Sequence, residues 1–235
     1  MSRPELATKL TELLGLEQPP VALTMVDAPP EGLASAERAV PSSCTFWREA
    51  EKGVFYASAA QHFNCPVGSH VMGFEMPEEV QKELGGLVQS MCDAQYLEMA
   101  EVAKIPAMAK KGTGVVYGPL ADVPVDPDVV LMWLTPAQAM VYNEATGNAS
   151  WTASSPATVS GRPGCTALPL AVTTDEPKMA LGCIGMRTFT GIANDRLLAA
   201  VPGDKVDELT AALETAVAAN AGMQSFYEGH KAQFA

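Results

Sequence analysis

A chain of 235 residues is long enough to bury a full hydrophobic core, so disulfides are not a condition of its folding. A net charge of -12 and a pI near 4.6 exclude nucleic acid and anionic membranes as expected partners, because binding to either depends on lysine and arginine. No stretch approaches the roughly 18 uninterrupted apolar residues of a membrane span, and the opening MSRPELATKLTELLGL lacks the apolar run of a secretory signal.

A cytoplasmic protein is therefore expected. In that compartment five cysteines serve as reduced thiols, ligands or catalytic groups rather than as disulfide partners.

The first element is a helix over residues 4–15, with Leu6, Leu10, Leu13 and Leu14 at helical spacing and Gly15 as its stop. PPVALTMVDAPP is a short strand fenced by prolines, and residues 31–43 form a small, polar loop that delivers Cys44. TFWREAEKG reads as a short helix closed by Gly53, and VFYASA as a strand rich in aromatic and small residues.

From Pro77 to Met99 the pattern is helical, with Val80, Leu84, Leu87, Val88 and Met91 on one face and Gly85 and Gly86 weakening the middle. GVVYGPL and DVVLMWLTP are two buried strands, the second followed by a helix from near Pro136 to Gly147. Residues 148–164 read as a long loop with one edge strand. KMALGCIGMRTFTGI is the next strand candidate, interrupted by Gly182 and Gly185. DRLLAAVP is a strand, and GDKVDELTAALETAVAANAG a helix with Val206, Leu209, Leu213 and Val217 on one face and Gly222 at its end. Strands and helices alternate without strict order, which predicts an α/β or α+β single domain, 1–235, with a mixed sheet flanked by helices.

The chemistry-bearing residues concentrate in 42–74 and 161–191. AAQHFNCPVGSHVMGF, residues 59–74, holds two of the chain's three histidines, His62 and His70, around Cys65. Pro66 suits a first helical turn, so Cys65 sits where the helix dipole and free N–H groups favour a thiolate, and Gly68 lets a ligand approach the backbone. Cys44, Cys165 and Cys183 also fall at element boundaries, in SSCTFW, PGCTAL and LGCIGM. For each of these the alternative is a small packing residue. Cys92, inside a helix, reads as a buried hydrophobe and His230 as solvent-exposed. Arg187 is a candidate partner for a ligand carboxylate, and Trp47, Tyr56 and Phe74 for the walls of a flat cofactor.

No Cys-x-x-Cys, no ferredoxin-like cysteine run, no glycine-rich dinucleotide fingerprint and no phosphate loop occurs. LGLEQPPVALTMVDAPPEG, CTFWREAEKGVFYASAAQHFNCPVGSHVMGF and LGCIGMRTFTGIANDRLLAAVPGDKVDELTAAL together resemble the domain-of-unknown-function 169 family. The resemblance maps family positions onto Cys44, Cys65, Gly68, Cys183, Gly185, Arg187 and Pro202. It implies an intracellular protein of anaerobes with redox or metal chemistry, and supplies no reaction.

The expected function is that of a redox or cofactor-handling protein. Its metal ligands are Cys65, Cys44, Cys183 and Cys165, with His62, His70, Gly68 and Arg187 around the cofactor, an iron–sulfur cluster or haem. A thiol enzyme with Cys65 as nucleophile and a non-catalytic small-molecule binder are the rivals. The partners expected are the cofactor or a small molecule, a second copy of the chain, or a redox partner protein.

Overall fold

The structure is a computed structural model and describes residues 1–147, 159–160 and 163–234. Its strands are β1 (Val21–Val26), β2 (Phe55–Ser58), β3 (Gly114–Pro119), β4 (Val129–Leu134), β5 (Val159–Ser160), β6 (Lys178–Ala180) and β7 (Leu197–Pro202). They form one seven-stranded sheet in the order β2-β3-β1-β4-β7-β6-β5. Every neighbouring pair is antiparallel except β5, a two-residue edge strand that runs parallel to β6.

Its helices are α1 (Arg3–Leu14), α2 (Thr45–Glu49), α3 (Ala59–His62), α4 (Pro66–Val71), α5 (Glu78–Asp93), α6 (Met99–Val102), α7 (Pro136–Ala145), α8 (Ala167–Thr174), α9 (Ile184–Thr190) and α10 (Val206–Lys231). The class is α+β with a mixed sheet, as expected from the sequence. No described helix is long and apolar enough to cross a membrane.

The central strands are apolar along their whole length because both sheet faces are covered, and the side-chain period of two divides them between two cores. Leu23, Met25, Leu131, Trp133, Leu198 and Ala200 face one core, with Phe46 and Trp47 of α2, Leu168 of α8 and Met186 of α9. Ala22, Val130, Met132, Leu134, Ala199 and Val201 face the other. There they meet Leu6 and Leu10 of α1, Tyr142 of α7, and Leu209 and Leu213 of α10. Leu10 and Leu213 have no exposed surface, and burying such a side chain contributes about 1.5–3 kcal/mol.

Local signals set the ends of several elements. Ser2 and Glu5 form a capping box at the start of α1, and Gly15 ends that helix at φ 63°. Thr135 and Gln138 do the same for α7 with Pro136 in its first turn, and Gly147 follows it at positive φ.

In two places the structure departs from the sequence expectation. KMALGCIGMRTFTGI is a strand only as far as Ala180: Gly182 turns at φ 83° and Cys183 caps a helix, α9. α10 passes through Gly222 and Gly229 and runs to Lys231, since a glycine inside a helix costs only about 1 kcal/mol. Most of the loop expected at 148–164 lies outside the described residues.

Candidate functional site

Four cysteines from four chain segments line one cavity of about 590 Å³ on the α2 side of the sheet. Each stands where a helix begins. Cys44 is the N-cap of α2, Cys65 of α4 and Cys183 of α9, and Cys165 lies in the 3₁₀ turn that leads into α8. All five cysteines of the chain are free, and Cys92, within α5, is not part of the cavity wall.

The Ser42 hydroxyl ties two of the thiols together, lying 3.0 Å from Cys44 Sγ and 3.7 Å from Cys65 Sγ. Cys183 Sγ accepts from the Met186 N–H at 3.4 Å. Burial pushes the Cys44 thiol up to about 12; the Ser42 hydrogen bond counters it, and Cys65 and Cys183 add to the rise. Burial also holds the Cys165 thiol well above its usual range, with further contributions from Cys65, Cys183 and Cys44. Cys44 and Cys165 are thus neutral thiols at neutral pH, and the four sulfurs are near enough to feel one another's charge.

Gly68 is required by close packing rather than by backbone conformation. A Cβ there would lie 2.5 Å from Ser43 Oγ and 2.9 Å from Cys65 Sγ. Gly68→Ala is expected to destabilise the protein by about 1–3 kcal/mol, read as a lower urea midpoint at unchanged slope, and Ser43→Gly in the same chain to restore part of the loss. A Gly68→Ala protein with the parent midpoint would show that α4 does not pack this tightly. Ser43 is among the lining residues, but its Oγ is buried against α4 at Gly68 and has no hydrogen-bond partner, a costly state for a hydroxyl.

The histidines separate. His70 lines the cavity. His62 does not line it: fully buried, its Nδ1–H donates to the Ser58 carbonyl at 2.7 Å and its Nε2 accepts from the Tyr117 hydroxyl at 2.9 Å. Phe46 and Phe74 each lie with ring centroids 4.9 Å from it. With both ring nitrogens engaged, His62 positions Cys65 instead of binding a cofactor. Its carbonyl accepts from the Cys65 N–H and the Ser69 hydroxyl, both at 2.9 Å, and so fixes the start of α4.

Arg187, the candidate carboxylate partner, is likewise turned to structure. Its guanidinium donates to the carbonyls of Leu181 at 2.6 Å, Arg196 at 3.0 Å and Ala193 at 3.1 Å, clasping the loops on either side of α9. Trp47 is on the cavity wall, while Tyr56 and Phe74 are not. His230 is exposed, as expected.

Sequence reasoning missed Ser42 and Ser43, whose only signal was their place beside Cys44, and it gave α5 an apolar face without saying what that face meets. No residue of α5 is fully buried, and Leu84, Leu87, Val88 and Met91 face the cavity. Among the described residues, the lining contains no Asp, Glu, Lys or Arg. Among the described residues, no three His, Cys, Asp or Glu side chains are grouped so as to hold a single metal ion.

The fold and site together define an α+β protein with a thiol-lined apolar cavity on one side of its sheet. The chain belongs to the domain-of-unknown-function 169 family, described as uncharacterised ArCR, whose model matches residues 9–212. It is 28% identical over 226 residues to the uncharacterized protein MJ0308 of Methanocaldococcus jannaschii, covering 89% of this chain and 93% of that one. No solved structure matches it.

Proposed function

We propose that Cys44, Cys65, Cys165 and Cys183 hold an iron–sulfur cluster and that the protein is a cytoplasmic redox or cofactor-handling component. The observation that carries this reading is that four of the chain's five cysteines, far apart in sequence, line one cavity. Four cysteines are the usual ligand complement of two-iron and four-iron clusters. A cluster shares its cysteines among its irons, at most two to each, so it does not need the group of three or more ligands around one ion that is absent among the described residues. Haem fits the described lining less well, since its propionates call for cations and among the described residues neither Lys nor Arg lines the cavity.

When bound, such a cluster supplies one-electron chemistry at a potential set by its surroundings. The chain's own residues shape those surroundings. The Ser42 hydroxyl beside Cys44 and Cys65, and the Met186 N–H on Cys183, place hydrogen-bond donors on the sulfurs, which stabilises the more negative, reduced state. The apolar, uncharged walls limit water, and the neutral thiols of Cys44 and Cys165 release protons as they become ligands. Electrons would pass to and from a redox partner protein.

The test is purification without oxygen, reconstitution with iron and sulfide, and measurement of visible absorption with iron and acid-labile sulfide content. Broad sulfur-to-iron absorption with matching iron and sulfide is the expected result. A protein that stays colourless and iron-free after reconstitution overturns the proposal.

A further inference from the structure

The cavity is larger than a cluster needs. Eight inorganic atoms, each given the ~30 Å³ that a water takes in the liquid, fill about 240 Å³, less than half of the cavity's 590 Å³ or so. Amphipathic helices normally bury their apolar face in a core. That of α5 instead lines open space with Leu84, Leu87, Val88 and Met91, and Leu87 remains 37% exposed. One further observation defines what the space accepts. Among the described residues no charged side chain lines it, so a phosphate or carboxylate inside would find no partner among them.

We infer that the space between α5 and the cysteines is a binding chamber for a neutral, mostly hydrocarbon small molecule. The inference rests on the cluster reading for the share of the cavity already filled. The chain's net charge of -12 acts in the same direction by disfavouring anions on approach.

The experiment uses a matched pair of probes, neutral N-phenyl-1-naphthylamine and its charged relative 8-anilino-1-naphthalenesulfonate, on the reconstituted full-length protein. Binding is followed by equilibrium dialysis, because iron–sulfur clusters quench fluorescence. The neutral probe is expected to bind saturably at one site and the sulfonate about tenfold or more weaker. Leu87→Lys and Met91→Lys, made separately on the half-exposed face of α5, should each weaken the neutral probe about tenfold while absorbance and iron content stay unchanged.

Absence of saturable binding, equal binding of the sulfonate, or indifference to both α5 variants overturns the chamber. A coloured protein that refuses the probe overturns the chamber and leaves the cluster standing. A colourless protein that binds the probe and loses it in the α5 variants upholds the chamber and overturns the cluster.

Discussion

Cys65→Ala is expected to abolish the visible absorption of the reconstituted protein and most of its bound iron, and Cys44→Ala, Cys165→Ala and Cys183→Ala to do the same. Cys92→Ala, in α5 and off the cavity wall, should leave both unchanged. The contrast follows from position: four sulfurs line one space and the fifth does not. Removing a direct ligand should cost more than the 10–100-fold in affinity typical of losing a group that only orients one.

The thiol protons add a second signature. Cys44 is held as a thiol up to about 12 by burial, and Cys165 is raised in the same way. Both must lose a proton to bind iron, so uptake should rise with pH and release protons as it proceeds. Iron analysis and visible spectra of the five variants, each checked for folding by circular dichroism, decide the matter. Equal colour in all five, or loss of colour in Cys92→Ala alone, would remove the basis for a four-cysteine site.

Acid should destabilise the protein through His62, and His62→Gln should remove most of that sensitivity. Burial lowers the His62 pKa to about 4, partly countered by its hydrogen bond to Ser58, whereas in the unfolded chain an imidazole titrates near 6.5. The folded state therefore refuses a proton that the unfolded state takes. The contribution is complete above about pH 6.5 and is lost as pH falls towards 4, by about 1.4 kcal/mol per unit and roughly 3 kcal/mol in all. Glu51 acts in the opposite sense, its carboxyl raised by burial despite Arg48 and the Trp133 indole, so its contribution favours the fold at low pH.

The informative quantity is accordingly the difference between parent and His62→Gln stability in urea melts from pH 7 to pH 4. It should fall by about 3 kcal/mol across that range, reaching zero or changing sign near pH 4. A constant difference would mean that His62 is not buried as a neutral ring. At neutral pH the variant should be less stable by about 1–3 kcal/mol, because the buried Tyr117 hydroxyl loses its acceptor.

The elements easiest to read from sequence carry their own boundary chemistry. The leucine spacing and Gly15 mark α1 as plainly in the letters as in the structure, and Pro136 and Gly147 mark α7. The apolar runs of β3 and β4 were equally plain, although the alternation that divides them between two cores is invisible when both faces are apolar. LGCIGM was misread because β-forming letters surround a glycine whose positive φ ends the strand.

At the site, the boundary position of each cysteine was legible and their common cavity was not. Cys44, Cys65, Cys165 and Cys183 are joined by sheet topology, which no local pattern encodes. His62 and Arg187 show the converse limit. Their residue types suggest ligands, yet the Ser58 carbonyl and Tyr117 hydroxyl engage both ring nitrogens of His62, and the Leu181, Ala193 and Arg196 carbonyls take three N–H groups of Arg187.

The division of the molecule by its sheet has a consequence for how the protein can change. All the cysteines that line the cavity lie on the α2 side, while α1, α7 and α10 pack against the opposite face. The layer behind the sheet is therefore ballast: its side chains can be exchanged to make the molecule hardier or frailer while the chamber in front keeps its shape. Durability and chemistry are set on opposite sides of one wall, so each can drift without dragging the other along.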